Sequence, residues 1–470
     1  MSTSTGPNNS GLKSFLASLS TVKGNLSNIT APPFLLAPHS TTSLPQYQAN
    51  RPSLFVAPAL EPRTDKRALL VLKRFLASLR GQQYAGSDES DGVKKPLNAF
   101  LGELFLGSFE EDGVGEIELV VEQVSHHPPV TACYLYNARH GVSSQGFAAQ
   151  EVSFSGSVSV KQRGYTIVRL ERFEEDYLVP LPDVKVKGVL GGVMYPEITG
   201  AYAIVGSSGF VSEIQFGEKG FLGGGERNGF EARVFAAEKR EDVLFTVEGR
   251  WDERFTVRDG RTGETMEVYD TRTALTTQIR VADIAEQDPW ESRRAWGCVI
   301  DAMKRSDMQA TANEKSILEN GQREMRNQEQ AENRQWKPVF FKKVSKDRIY
   351  EKLAGMAKTN ITVDREGGIW KVDLEAILNA RRPFHDGMTP RNQRKSSNNE
   401  QSKLERSKNS ETDCQSVMST SDFEETQDEA KGDNPNHKEQ REEQSMDKIN
   451  HERERIQIEE FLRNKYSSAH

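Results

Sequence analysis

Cysteine is scarce: Cys133, Cys298 and Cys414 are the only three in 470 residues, and they are too scattered and odd in number for a disulfide framework. They suit a reducing compartment, so the expected setting is the cytoplasm. No apolar run approaches the ~20 residues of a membrane-spanning helix, and membrane contact is expected to be peripheral. Excess positive charge is missing too: 62 Lys and Arg stand against 69 Asp and Glu, a net charge of -7 that argues against a general nucleic-acid binder. Histidine is limited to eight residues, and no Cys/His spacing of the zinc type exists, so no metal site is expected. A Gly-X-Ser-X-Gly elbow for a serine nucleophile is absent. Cys133 and Arg139 have the spacing of a phosphatase loop, but residues 134–138 contain no glycine to let the backbone curl around a phosphate. The chain is therefore read as a non-enzyme that needs no cofactor.

The first sixty residues contain no Asp or Glu. Within them Leu12, Phe15, Leu16 and Leu19 recur at helical spacing among Lys13, Ser14, Ser18 and Ser20, the pattern of a weakly charged interfacial helix. A transit peptide would carry arginines, and the first here is Arg51. Ala68, Leu69, Leu72, Phe75, Leu76 and Leu79 predict an amphipathic helix from about 65 to 80, ended by Gly81. Short apolar or alternating runs then predict strands at 117–121, 152–154, 158–160, 165–168, 184–189, 230–235 and 243–247. Many short strands at close spacing point to a sandwich or barrel, with Gly223, Gly224 and Gly225 as a turn. Residues 289–332 read as charged helix, on which Lys315, Glu319 and Arg323 fall at i, i+4 and i+8 on one face. A solvated charge face is the ordinary reading of such a helix.

The run from Glu122 to Val130 carries His126 and His127 beside Pro128 and Pro129. The prolines predict a rigid extended segment, and two adjacent imidazoles there can donate to an anion, with phosphate the first candidate. A hydrogen-bonded strand end is the bland alternative. Residues 122–129 resemble the fingerprint of the oxysterol-binding protein family. Residues 95–103 resemble its second signature, with Ala99 where proline is usual, and residues 292–296 resemble its third. The likeness runs from about residue 10 to 385 and is closest to short yeast-type members.

The resemblance implies a mainly β (α+β) fold: a large, nearly closed antiparallel barrel at about 94–275 enclosing a lipid tunnel, with a helical part at about 285–335. Residues 1–35 would be an amphipathic lid and membrane contact, 36–388 the lipid transfer domain, and 389–470 a disordered tail with a charged helix. One tunnel would take a sterol or phosphatidylinositol 4-phosphate and exchange them between membranes, the Golgi and endoplasmic reticulum by family likeness. Lys95, Asn98, His126, His127, Lys315, Glu319 and Arg323 would hold the phosphoinositide head group. Gln83 and Tyr84 would meet the sterol hydroxyl at the tunnel floor, under a lid that includes Leu26 and Ile29, while Gln48 stands where those relatives have a tryptophan. Phosphatidylserine in place of sterol, or a phosphoinositide sensor without sterol transport, are the alternatives. The tract around Phe423 resembles one by which relatives dock on an endoplasmic-reticulum receptor.

Overall fold

The computed structural model describes residues 32–85, 89, 92–154, 157–188, 193–217, 227–356 and 367–390. The lid with Leu26 and Ile29, the glycines at 223–225, the tail helix and the Phe423 tract lie outside them. The chain divides into two compact units, residues 1–373 with 381–393, and residues 374–380 with 394–470. In the second unit the described residues form the short helix Leu374–Asn379. All else below concerns the first.

Two short strands, β1 (Leu36–Ser40) and β2 (Lys95–Leu97), pair in parallel. The main sheet contains fourteen antiparallel strands. They are β3 (Leu104–Glu111), β4 (Gly115–His126), β5 (Pro129–Asn137), β6 (Val142–Phe154), β7 (Val158–Leu170), β8 (Glu175–Pro180), β9 (Val184–Lys187) and β10 (Tyr195–Ile198). The remainder are β11 (Gly200–Gly206), β12 (Phe210–Phe216), β13 (Gly229–Ala236), β14 (Val243–Arg250), β15 (Arg254–Asp259) and β16 (Thr265–Asp270). Neighbours in sequence pair in space from β3 to β8 and from β11 to β16, β8 joins β11, and β9 with β10 branches from β7. Among the described residues the sheet does not close: β3 and β16 end its main path and β10 ends the branch. Instead the chain returning from β16 lays Arg280 against Ser108, with backbone hydrogen bonds of 2.7 and 2.8 Å, and so covers the β3 edge.

The predicted amphipathic helix spans Thr64–Tyr84, and the six residues that define its apolar stripe are all buried. Together with Ile214, Phe230, Val234 and Trp251 they make one core. Gly81 does not end it. A β-carbon there would stand 2.8 Å from Tyr47 Cδ1, so the glycine permits close approach of the segment Thr41–Gln48. The helix ends at Ala85, whose φ of 49° leaves the helical region.

After the sheet come the helices Ser292–Ala295, Gly297–Lys304 and Met308–Ala331. Asp307 caps the last by accepting from Ala310 N at 2.9 Å. A final pair, β17 (Phe341–Val344) and β18 (Ile369–Val372), is antiparallel.

Candidate functional site

Alternation along the strands builds an apolar cavity of about 330 Å³. Val152 on β6, Val158 and Val160 on β7, and Val184 and Val186 on β9 supply much of its wall, and Leu35, Leu44 and Pro45 come from the segment before the long helix. The sequence reading identifies these valines as strand residues without assigning them to a ligand. The signal was an apolar alternation at Val158, Val160, Val184 and Val186 that continues into polar Gln162.

Gln123 and His126 both line the cavity, although a separation of three would put them on opposite faces of a regular strand. A bulge resolves this. The β4–β5 register pairs Gln123 with Thr131 and Ser125 with Val130, leaving Val124 extra, and the bulge brings His126 to the cavity opposite Pro129. The expected rigid extended segment is in fact the hairpin turn itself. β4 ends at His126, β5 begins at Pro129, and the intervening His127–Pro128 bond is cis, as in type VI turns.

The two imidazoles stand edge to face with centroids 4.6 Å apart. Arg326 Nη1 lies 3.2 Å from His127 Nε2, and because arginine only donates, this nitrogen accepts and His127 is neutral. Burial, then His127 and Arg326, pulls the His126 pKa down to about 4; burial and Arg326 also lower His127. The histidines are therefore not the readily protonated pair that their ordinary pKa implies. An arriving phosphate would oppose both lowering effects.

Arg326 is the residue that the sequence reading missed. It continues the face of Lys315, Glu319 and Arg323 at i+11, and burial followed by the charge of Arg323 depresses its pKa. Lys315 bonds Glu319 and is 8% exposed, so this face is not an ordinary solvated one. Arg323 is exposed and bonds Asn320. Across from the helix, Lys95 lines the cavity with Asn98, and burial followed by the charge of Lys315 lowers its pKa to about 8, with Glu319 opposing. The structure thus links Lys95 with Lys315 and Glu319, and His126 and His127 with Arg326 and Arg323.

Much of the three signature blocks holds the site together rather than touching the cavity. Glu103, fully buried, accepts from Thr42 Oγ1 at 2.7 Å, Trp296 Nε1 at 2.9 Å and Phe100 N at 3.2 Å. Phe100 packs on Trp290 and Trp296 with centroids 6.1 and 6.0 Å apart. Glu122, also fully buried, accepts from Val339 N at 2.7 Å and Phe340 N at 2.8 Å, and burial raises its pKa to about 7. One carboxylate joins the second and third blocks, and the other ties the fingerprint to the segment entering β17.

Gln83 lines the cavity with Gln48, Gln82 and Gln162. Tyr84 does not: its ring sits in the core 6.4 Å from Trp251, and it is 3% exposed. Adjacent helical positions differ by about 100° in direction, so Gln83 and Tyr84 cannot share a target. Gln48 accepts from Ser144 Oγ at 3.2 Å and donates to Cys133 Sγ at 3.8 Å. Burial pushes the Cys133 thiol up to about 12, and its place inside β5 rules out the phosphatase-loop spacing as a real loop. Among the described residues no cluster of three or more metal-ligating side chains occurs, and no helix is long and apolar enough to cross a membrane.

These features define a β-sheet protein built around an apolar, ligand-sized cavity with a cationic cluster at one wall. The oxysterol-binding protein family profile matches residues 14–300, and the chain belongs to that family. It is 36% identical over 342 residues to Protein kes1 of Schizosaccharomyces pombe, covering 72% of this chain and 88% of that one. It is 50% identical over 378 residues to the probable transporter efuK of Hormonema carpetanum, covering 80% of this chain and only 54% of that relative. Among solved structures, the Osh1 ORD domain in complex with cholesterol superimposes with a TM-score of 0.59 at 20% identity, covering 77% of this chain and 87% of that one. The Osh3 ORD in complex with PI(4)P from Saccharomyces cerevisiae gives 0.57 at 23% identity, covering 73% and 89%.

Proposed function

We propose that this protein is a lipid transfer protein that takes a sterol or phosphatidylinositol 4-phosphate into one cavity and exchanges them between membranes. The observation that carries this reading is the presence of Lys95, Asn98 and His126 in the lining of a mainly apolar cavity, beside Lys315, Arg323 and Arg326. A phosphorylated head group would meet the cations while its acyl chains fill the space between the valines. A sterol would fill the same apolar space, so each ligand excludes the other. The cholesterol and PI(4)P bound by the two solved relatives support both halves of the pairing.

No covalent step is part of this proposal. Residues 1–35 act as a lid that opens at a membrane and closes away from it, since an open cavity exposes apolar wall to water. The work is done in the cytoplasm, with peripheral and transient contact at Golgi and endoplasmic-reticulum membranes. Docking of the Phe423 tract on a receptor of the latter remains a separate proposal, tested by pull-down with a peptide of residues 412–434.

The test mixes purified protein with liposomes bearing a fluorescent sterol, then adds phosphatidylinositol 4-phosphate and follows sterol release. Uptake followed by displacement supports exchange. Phosphoinositide binding without sterol uptake removes the sterol, and phosphatidylserine then takes its place in the assay. His126→Ala with His127→Ala is expected to abolish phosphoinositide capture and keep sterol uptake; equal loss of both in a folded variant sinks this division of labour.

A further inference from the structure

The long helix buries two arginines seven residues apart, and they are treated very differently. Arg67, 4% exposed, pairs with both oxygens of Glu175 at 2.5 and 2.9 Å and donates to the carbonyls of Glu61 and Pro62. Arg74, two turns on and 6% exposed, has no hydrogen-bond partner for Nη1 among the described residues. Its guanidinium lies 4.0 Å from the centroid of the Phe55 ring. Burial drags its pKa to about 9, and the opposing influence is the Cys133 thiol, itself pushed up to about 12 and therefore uncharged at neutral pH. A buried guanidinium without a counter-ion is unfavourable and cannot escape by losing its proton at neutral pH.

Arg74 is not sealed in apolar packing. It lines a recess of about 40 Å³ that shares Gln48, Gln82, Gln83, Gln162, Thr166 and Leu181 with the main cavity. The recess therefore adjoins the cavity, and its amides and hydroxyls are interleaved with Val71, Phe75, Leu79, Val168 and Val179. Ser78 and Ser144 complete it, and their hydroxyls are already committed as donors to Phe75 O and Gln48 Oε1. At about 10–15 Å³ for each water, the space holds roughly three waters or one carboxylate, and is too small for a sugar phosphate. A hydroxyl entering here can accept one hydrogen bond but leaves the charge uncompensated, whereas a carboxylate accepts two and neutralises it.

We propose that this recess is a carboxylate subsite: the protein takes elongated apolar molecules that carry a carboxylate at the end entering first, and Arg74 pairs with it. The inference rests on the lipid-binding reading of the cavity and adds a ligand class to it. It is a separate place in the fold, since Arg74 is supplied by the helix Thr64–Tyr84, whereas the lysine, histidine and arginine cluster comes from β2, the end of β4 and the helix Met308–Ala331.

The experiment displaces a bound fluorescent sterol, at pH 7, with 3β-hydroxy-5-cholenic acid and with the matched 24-alcohol. The wild-type chain is expected to prefer the acid by about tenfold or more, the worth of one hydrogen-bonded charge pair. Arg74→Met should erase that preference by weakening the acid far more than the alcohol, and Arg74→Lys should keep part of it. Retained alcohol binding shows that the variant is folded; where Arg74→Met fails to fold, Arg74→Gln is read in the same way. Equal affinities in the wild type, or a preference that survives removal of the guanidinium, overturn the carboxylate subsite alone. If the wild type binds neither steroid and no fluorescent sterol, the lipid reading of the cavity falls with it.

Discussion

Single residues separate chemistry from scaffolding within one motif. Glu122 stands in the fingerprint beside the histidines, yet its two oxygens hold the backbone of Val339 and Phe340. Glu122→Gln offers one acceptor oxygen for two N–H groups and is expected to cost about 1–3 kcal/mol in urea denaturation. The pH dependence has a definite sign. With a folded pKa of about 7 against an ordinary 4.5, the native state keeps a proton that the unfolded state loses, so this group lowers stability as pH rises from 4.5 to 7. The glutamine variant should lack that slope. Arg326 acts in the other direction, adding to the burial that holds both histidines below their ordinary range. Arg326→Ala is expected to move the His126 and His127 titrations up toward 6.5, read from their ring protons by NMR, and to weaken phosphoinositide capture. His126, His127 and Lys95 could be proposed from sequence because their motifs are local. Arg326 lay in plain view at helical spacing from Arg323, but nothing local marks a side chain whose partner is 199 residues away.

Elements decide which of these side chains can meet. The helix Thr64–Tyr84 follows from its apolar stripe, but its length does not, because Gly81 reads as a stop until Tyr47 is seen against it. Filling that contact should hurt: Gly81→Val forces Tyr47 away and is expected to lower stability by about 1–3 kcal/mol in thermal melts, despite the gain in side chain. The same shift would disturb Leu44, Pro45 and Gln48, which share the Thr41–Gln48 segment with Tyr47 and line the cavity, so sterol retention should fall in parallel. Strand alternation at Val158, Val160, Val184 and Val186 was readable as pattern. The bulge at Val124 was not, since it is a property of pairing between β4 and β5, and it is what lets Gln123 and His126 face one cavity.

At the scale of the whole molecule, an apolar cavity with cations at one wall predicts two ligands with different sensitivities. Phosphoinositide capture should weaken as salt rises from 0.05 to about 0.5 M, because part of the cluster is exposed, while sterol uptake changes little. Capture should also strengthen as pH falls from 7.5 to 6: the histidines are neutral in the free protein, so a phosphate that charges them binds with proton uptake. Calorimetry in buffers of different ionisation enthalpy measures that uptake, and a proton count of zero would refute it. The sequence by itself determined the mainly β class of fold and the family, because these rest on local periodicity and contiguous motifs. Only the tertiary structure decided that the sheet stays open between β3 and β16, that Tyr84 belongs to the core, and that Lys315 is buried. It alone set Arg74 beside the cavity with no counter-ion among the described residues. Burial and charge pairing depend on what the rest of the chain brings into contact, and no residue carries that information in its own neighbourhood.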